Sequence, residues 1–348
     1  MNRRSALAAG TAAILGIGGC FRPSGSSNDD DGPEREPRDD DGPEREPRDE
    51  RNAPERTGDS GMVVFTYDDG AIEDYTMTYP VHERYDVPAC IGVCPDLVQL
   101  SDDFLDPNHV GELHDAGWEV MSHTNRHRSV GRILLESDAE VGHDRIYVQA
   151  NRHGDHVGDP LVLFDGERTV EATVAGKGSD DKGQYIRLEE PIDQPLDATN
   201  PAYVRYTESF LRTILSDSKR RIEDWGIDVT GFVYPYGRTD GLAESLVPEY
   251  YDAVPNYRTG VGGINPIDDL EPTQLHRRYI ETDRSTPDEI EKFMATVASE
   301  DVLGMVGGHS EYDTLPAERI EFTIETALDH DLRIVTLQDA LTELGYLD

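Results

Sequence analysis

The chain has few basic residues, and lysine is almost missing from it. Its 348 residues include 71 acids against 32 bases, for a formal net charge of −39, and lysine occurs only four times, at Lys177, Lys182, Lys219 and Lys292. Phosphate binding needs clustered lysine and arginine, so this composition excludes a nucleic-acid partner. The same charge would repel an anionic membrane surface.

The acidic residues are not confined to a tail. Residues 1–20 carry a charge of +2 and residues 21–60 a charge of −7, which leaves −34 on residues 61–348. A dense carboxylate surface with few lysines is typical of a high-salt environment, where salt screens the repulsion between like charges. We therefore expect a halophilic protein.

Cysteine is also scarce, with only Cys20, Cys90 and Cys94. In an extended strand Cys90 and Cys94 would lie too far apart for a disulfide, and they could bridge only if the chain turned between them. We expect both to be small, buried apolar residues.

The first 20 residues combine a pair of arginines with a short apolar run. Residues 2–7 contain the Arg3-Arg4 pair of a twin-arginine export signal, and the apolar run over 6–19 is too short to span a bilayer. Residues 17–20 are similar to a lipobox, in which Cys20 becomes the lipidated first residue after cleavage; an uncleaved apolar anchor is the alternative. Either reading predicts a protein on the extracellular face of the cell membrane, tethered there after twin-arginine export.

Residues 21–60 have the composition of a disordered acidic linker. The ten residues 30–39 recur as residues 40–49, and neither copy contains a large apolar side chain. Such a segment cannot bury enough surface to offset its conformational entropy. We interpret it as a solvated stalk.

From residue 61 onward, predicted strands and helices alternate, which is typical of a parallel α/β fold. In the first part, 61–137, the strands are 62–66, 87–94 and 118–122, and the helices are 73–85 and 104–116. In the second part, 206–348, the strands are 231–234, 250–254, 278–280, 302–306 and 333–337, and the helices are 208–225, 316–330 and 339–344. Polar residues follow several strands, at the edge where such folds place their sites.

The segment between these two parts has a different pattern. Short predicted strands at 144–148, 161–164, 169–174 and 185–188 are separated by Gly and Asp turns. We interpret residues 138–205 as an inserted antiparallel β subdomain, a sandwich or a barrel. Its histidines, His143, His153 and His156, are expected to be ordinary surface residues, with a second metal site as the alternative.

Two sequence features point to a metal site. Asp68 and Asp69 directly follow the buried strand 62–66, where an Asp-Asp-Gly turn is the simpler alternative. His123 and His127 are four residues apart, so on a helical turn both imidazoles would face one ion. Two histidines and one carboxylate leave coordination positions open for water and substrate.

Four motifs in order, residues 66–70, 123–127, 234–237 and 308–309, resemble the polysaccharide deacetylase family, also called the NodB-homology domain or carbohydrate esterase family 4. The resemblance covers residues 61–135 and 206–348. It implies a distorted (β/α) barrel with its site at the carboxyl ends of the strands. The inserted β subdomain accounts for the long spacing between the second and third motifs.

The resemblance also implies a divalent metal, commonly zinc and sometimes cobalt or nickel. Its ligands would be Asp69, His123 and His127.

For the reaction itself, the resemblance implies three catalytic groups. Asp68 would be the base that takes a proton from the attacking water, and His309 the acid that protonates the leaving amine. The backbone N–H of Tyr236 would help to hold the oxyanion.

The sequence departs from the family pattern at two places. Many members have an arginine where Val233 stands, and that arginine orients the base; here Arg277 or Arg278 could replace it, and we expect Arg278. The Asp–Trp motif that tunes the acid has no clear counterpart, and Asp283 is the candidate.

These features predict an extracellular, membrane-tethered hydrolase that removes N-acetyl groups from a polysaccharide. One alternative is a catalytically weak or inactive carbohydrate-binding lipoprotein with the β subdomain as its binder, and another is an O-acetyl polysaccharide esterase. The intact set of Asp69, His123 and His127 favours an enzyme. The sequence predicts no protein partner.

Overall fold

The structure, a computed structural model, describes residues 61–199, 201–260 and 262–347. The predicted export signal, the lipidation site Cys20 and the linker 21–60 lie outside the described residues. Within the described part of the chain, no helix has both the length and the apolar character needed to cross a membrane.

The described chain contains fourteen strands and seven α-helices. The strands are β1 (Met62–Tyr67), β2 (Cys90–Val93), β3 (Glu119–Ser122), β4 (Ile133–Leu134), β5 (Arg145–Tyr147), β6 (Pro160–Phe164), β7 (Thr169–Asp180), β8 (Gly183–Leu188), β9 (Tyr203–Tyr206), β10 (Arg258–Gly260), β11 (Ile264–Pro266), β12 (His276–Tyr279), β13 (Val302–Gly308) and β14 (Arg333–Ile334). The helices are α1 (Tyr79–Tyr85), α2 (Pro107–Asp115), α3 (Glu208–Glu223), α4 (Gly241–Leu246), α5 (Pro287–Ser299), α6 (Ala317–Asp329) and α7 (Leu337–Glu343).

The larger sheet has eight strands and is mostly parallel. Its order is β10-β12-β13-β1-β2-β3, with β14 parallel to the start of β1 and β11 antiparallel to β13. Beyond β3, single parallel bridges join Ser122 to Phe232 and Gly231 to Ala253, and backbone hydrogen bonds of Val254 lead back toward the start of β12. The sheet therefore curves into the distorted (β/α) barrel that the sequence predicts.

Strand β1 shows why polar side chains at the end of a strand point into the barrel. All six of its residues are buried, because helices cover one face and the barrel interior the other. Val63 and Phe65 belong to the main core against the helices, whereas Met62 and Val64 belong to the interior cluster. Since side chains alternate along a strand, the interior face continues to Thr66 and then to Asp68.

The helix ends follow local sequence signals. Asp106 caps α2 and Pro107 is its first residue, so the helix begins three residues after the expected start at 104. Helix α5 was not predicted, although Thr286 and Glu289 form a capping box at its start.

Two expected strands, 231–234 and 250–254, form only single bridges. Pro235 and Pro255 directly follow them, and proline has no N–H with which to continue a ladder.

The second sheet is antiparallel, has six strands and forms the predicted β subdomain. Its order is β4-β9-β6-β7-β8-β5. A bridge between Leu135 and Val148 joins the ends of β4 and β5, so the sheet closes into a small barrel. The sheet begins at Ile133 and ends at Tyr206, slightly outside the expected limits 138–205, because β4 and β9 were not predicted as strands. We call residues 133–206 the inserted barrel.

Candidate functional site

The carboxyl ends of the parallel strands bring the candidate residues to one edge of the larger barrel. Asp68 and Asp69 follow β1, His123 follows β3, and His309 follows β13. Strands β1 and β13 pair in register up to Tyr67 and Gly308, so the residues after them are neighbours. The backbone N–H of Asp68 donates to the carbonyl of Gly308, which fixes this neighbourhood.

Asp69, His123 and His127 converge into a buried group of metal-ligand type. One ligand atom from each residue lies within 4.8 Å of the other two. Oδ1 of Asp69 is 3.1 Å from Nε2 of His123 and 3.2 Å from Nε2 of His127. Ligands at about 2.0 Å from a tetrahedral ion lie roughly 3.3 Å apart, so this spacing fits a zinc-like ion.

The hydrogen bonding of His123 also fits a metal ligand. Its Nδ1 lies 2.8 Å from the carbonyl oxygen of Val233. Because a carbonyl only accepts, Nδ1 carries the proton and donates it there, and Nε2 presents its lone pair toward Asp69. Burial lowers the pKa of His127 to about 4, which keeps that imidazole neutral, as a ligand must be.

The two histidines do not lie on a helical turn, contrary to the expectation. Residues 124–126 form a tight turn in which Thr124 and His127 both have a φ of 57°. The hydroxyl of Thr124 accepts a hydrogen bond of 2.7 Å from the N–H of Arg128, which holds the turn. The turn brings the imidazoles together, with ring centroids 4.8 Å apart.

Backbone strain is concentrated at this site. Of the seven non-glycine residues with positive φ in the described chain, four are Asp69, Thr124, His127 and Tyr236. Left-handed backbone at such residues costs free energy and persists where the surrounding structure enforces it. The fold thus holds two of its three candidate ligands, Asp69 and His127, in unfavourable backbone conformations.

Asp68 is held by Arg277, not by Arg278. Nη1 and Nη2 of Arg277 donate to the two carboxylate oxygens of Asp68 at 2.7 and 2.6 Å, and both side chains are buried. Arg278, the expected residue, instead donates to Ser285 and lies over the Phe293 ring. The prediction was wrong because neighbouring residues of β12 point to opposite faces of the sheet, and only Arg277 points into the barrel.

The Arg277 contact sets the charge state of Asp68. Burial raises the pKa of this carboxyl, but the guanidinium of Arg277 outweighs burial, and the net effect is a pKa below the usual value. Asp68 is therefore an anion near neutral pH.

Glu281 holds His309 on the other side of the site. Its Oε1 lies 3.0 Å from Nδ1 of His309 and also accepts from the backbone N–H of that residue at 3.2 Å. Burial alone would lower the pKa of His309, but the hydrogen bond to Glu281 outweighs it, and the pKa is well above its ordinary value. The other ring nitrogen, Nε2, is 3.8 Å from Asp68.

Asp283, the residue expected to tune the acid, does not reach His309. Its side chain is 57% exposed and faces Arg284. Glu281 comes two residues after the end of β12, and this position of a carboxylate just past a strand is the sequence signal that marks it.

Further buried acids surround the site. Burial and then the negative charge of Asp69 raise the pKa of Glu311 to about 9. Asp74 accepts a hydrogen bond of 2.6 Å from Ser310, and burial raises its pKa well above the usual value. The raised pKa values mean that neither acid readily carries a negative charge beside Asp69, and a bound metal cation would favour their ionised forms.

Tyr236 lies beside the candidate metal ligands. Its ring centroid is 4.2 Å from that of His127, and its backbone is left-handed, with φ 61°. The guanidinium of Arg152, from the inserted barrel, lies 4.5 Å above the same ring. The oxyanion role of the Tyr236 N–H stays a prediction.

The histidines of the inserted barrel differ from one another. His143 is exposed, as expected, whereas His153 is fully buried and is not a surface residue. Nε2 of His153 donates to the carbonyl of Ser129 at 3.1 Å, and burial lowers its pKa to about 4. His156 is half-buried. The ring of His153 packs edge-on against Tyr206, which gives it a packing role.

The family model described as polysaccharide deacetylase matches residues 55–157. This range contains Asp68, Asp69, His123 and His127 and ends inside the inserted barrel. No curated protein matches the chain.

Several solved structures show a distant likeness. The Xyl-CE4 domain of a multidomain xylanase from the hindgut metagenome of Trinervitermes trinervoides has 13% identity and a TM-score of 0.45, covering 82% of this chain and 92% of its own. A family 4 carbohydrate esterase from Streptomyces lividans, in complex with acetate, has 12% identity and a TM-score of 0.41. The match covers 80% of this chain and 94% of the esterase chain. A CE4 family pseudoenzyme from Bacillus anthracis has 12% identity and a TM-score of 0.44. The match covers 82% of this chain and 66% of the pseudoenzyme chain.

Likeness at this distance does not transfer the activity of those proteins. The family match over residues 55–157 does include the first two of the four sequence motifs and all three converging ligands. By that match, residues 55–157 resemble the polysaccharide deacetylase family.

Proposed function

We propose that this protein is a metal-dependent hydrolase that removes N-acetyl groups from a polysaccharide outside the cell. The observation that carries the proposal is the arrangement of two charged pairs around one ligand group. Asp68 with Arg277 and His309 with Glu281 meet across 3.8 Å, directly beside Asp69 and its two histidines. This arrangement supports the assignment of Asp68 as an anionic base and His309 as a protonated acid at one reaction centre.

Asp69, His123 and His127 would hold the metal, and zinc is our proposal for it, with cobalt or nickel as substitutes. When bound, such a metal supplies Lewis acidity and lowers the pKa of the attacking water from ~15.7 toward ~7.

Asp68 accepts the proton of the attacking water. It is ionised near neutral pH, and the double hydrogen bond to Arg277 fixes its orientation. The backbone N–H of Tyr236 donates to the oxyanion that forms on the acetyl carbonyl, a contribution of about 3–4 kcal/mol for one donor.

His309 favours an amide over an ester as the substrate. An amide nitrogen is a poor leaving group until it is protonated, whereas an alkoxide needs this help less. Glu281 raises the pKa of His309 and keeps the imidazole protonated near neutral pH, ready to give its Nε2 proton to the leaving nitrogen. The products are acetate and a free amine on the sugar.

The test is acetate release in molar salt with added zinc. N-acetylated and O-acetylated oligosaccharides of equal length are compared, with Asp68→Asn as the inactive control. We expect acetate mainly from the N-acetylated substrate, reduced about 10²–10⁴-fold in the variant. Preference for the ester would identify an O-acetyl esterase, and acetate from neither would favour a carbohydrate-binding protein.

We also propose that the enzyme is lipid-anchored to the outer face of the membrane through Cys20, after twin-arginine export. The arginine pair and the lipobox-like residues 17–20 support this. Cell fractionation tests it. Cys20→Ala should lose the lipid, and Arg3→Lys with Arg4→Lys should keep the precursor inside the cell.

A further inference from the structure

The inserted barrel is fixed to the loop that carries the metal ligand His127. Its Asp159 accepts two hydrogen bonds from Arg128, at 2.6 and 3.1 Å, and both residues are largely buried. Its His153 is hydrogen-bonded to the carbonyl of Ser129 in the same loop. The short 3₁₀ turn Arg152–Asp155 is therefore held in place beside the site.

This turn presents Arg152 to the mouth of the site. The guanidinium lies 4.5 Å above the Tyr236 ring, which in turn packs on His127 at 4.2 Å. Two ring contacts thus separate Arg152 from a metal ligand. If the acetyl group of one sugar lies at the metal ligands, the next sugar of the polysaccharide would lie within reach of the Arg152 side chain.

Arg152 differs from other exposed arginines of the inserted barrel. Arg145 pairs with Asp180, and Arg168 pairs with Asp165. Arg187 contacts no carboxylate in the described part of the chain, but its guanidinium donates to the carbonyl of Ala175. Arg152 is also exposed, but among the described residues its interactions are limited to the Tyr236 ring. Stacking on a ring leaves the edge N–H donors of the guanidinium available for an anion.

Two other guanidiniums near the turn that carries Arg152 already have carboxylate partners. Arg128 pairs with Asp159 and Arg126 faces Asp96. Arg152 is therefore the guanidinium of this region whose donors remain available to a bound sugar.

We propose that Arg152 binds the anionic group, a carboxylate or a sulfate, of the sugar next to the N-acetylated one, so that the inserted barrel selects acidic polysaccharides. The inference rests on the proposed function. Arg152 takes no part in the chemical step, and its contribution is expected in KM more than in kcat.

The first experiment compares three tetrasaccharides as substrates of the zinc-loaded protein. One is N-acetylglucosamine only, one alternates N-acetylglucosamine with glucuronate, and one is the sulfated form of the first. For the wild type we expect a higher kcat/KM on at least one acidic substrate. Arg152→Gln should lower the acidic-to-neutral ratio of kcat/KM roughly tenfold to hundredfold, as expected for loss of a charged hydrogen bond.

Arg145→Gln is the matched control. Arg145 is also an exposed arginine of the inserted barrel that lies over a tyrosine ring, 4.9 Å from Tyr185. Its replacement should leave the ratio unchanged. An equal loss on neutral and acidic substrates in Arg152→Gln would overturn the inference, since it would mean that Arg152 only positions Tyr236 and His127.

A binding measurement separates this inference from the proposed function. Calorimetry with the metal-free protein and the glucuronate tetrasaccharide needs no turnover. We expect binding that weakens at least tenfold in Arg152→Gln and not in Arg145→Gln. If the wild type releases no acetate from any substrate but this difference is found, the proposed function fails and the anion site stands. Equal binding by all three proteins overturns the anion site.

Discussion

Arg277 and Asp68 form a double hydrogen bond inside the barrel, although 209 residues separate them in the chain. Arg277 also donates to Thr66, at 2.9 Å, and so contacts successive inward positions of β1. Glu281, two residues beyond the end of β12, holds His309. One strand and its exit thus orient both the proposed base Asp68 and the proposed acid His309.

Replacing Arg277 should destabilise the fold as well as the reaction. Arg277→Gln leaves the buried Asp68 without its partner, and removing one member of a buried ion pair costs about 3–5 kcal/mol. Urea denaturation measures this loss. Arg278→Gln, one position along the strand, is the control and should cost far less, because Arg278 contacts Ser285 on the outer face. Equal losses would contradict the assignment of Arg277.

Replacing Glu281 should change the pH dependence of the reaction. Glu281 raises the pKa of His309, and His309 must be protonated to act as the acid. In Glu281→Gln that pKa falls, so the high-pH limb of the kcat profile should move to lower pH. Asp283→Asn is the control, because Asp283 is exposed and faces Arg284. If the high-pH limb of the kcat profile is unchanged in Glu281→Gln, His309 is not the group whose titration produces that limb.

The sequence predicts the ligands of the site better than the groups that orient its base and acid. Asp69 and His123 each come just after a short buried strand that contains apolar residues, so the strand and its polar end are both visible in the sequence. Residues 276–279 contain no apolar alternation, only His, Arg, Arg and Tyr. The direction in which each side chain points is therefore set by pairing with β13, which the local sequence does not encode.

The inserted barrel shows a similar limit. Its central strands have clear apolar positions and turns, so an antiparallel unit could be predicted. Its closure depends on Leu135 and Val148, and its first strand has only two residues. Such pairings depend on the packed structure, and so does the placement of Arg152 above Tyr236.

Removing or adding the metal should change stability through Asp69. A ligand that binds only the folded state stabilises it by RT ln(1 + [L]/Kd), which is about 2.7 kcal/mol at 100 times Kd. Zinc should therefore raise the melting temperature of the chelator-treated wild type. In Asp69→Asn the shift should be much smaller, since one of three ligands loses its charge. An equal shift in both would place the bound zinc elsewhere.

Acid should weaken the fold through His82. This histidine is fully buried, accepts a hydrogen bond from the Tyr67 hydroxyl at 2.9 Å, and has a pKa lowered by burial to about 4. Between pH 6.5 and 4 the unfolded chain takes up a proton on His82 that the folded chain does not. The free energy of unfolding should therefore fall as pH falls, by at most about 3 kcal/mol from this group.

Denaturation at several pH values, with His82→Gln beside the wild type, isolates this effect. The variant should be less stable at neutral pH but should lose less stability as pH falls through the same range. His114→Gln replaces an exposed histidine and controls for the change of residue type. Parallel pH curves for His82→Gln and the wild type would show that His82 is already protonated in the fold.

Salt should stabilise the folded domain. Residues 61–348 carry a formal charge of −34, and this charge repels itself most strongly in the compact state. The Debye length falls from ~10 Å at 0.1 M to ~3 Å at 1 M salt, so raising the concentration should screen most of this repulsion. We expect the melting temperature to rise steeply between 0.1 and roughly 1 M potassium chloride, because the Debye length decreases about threefold within this range. Screening acts through ionic strength, so sodium and potassium chloride should give the same rise. A flat curve would mean that the acidic surface does not limit the stability of this fold.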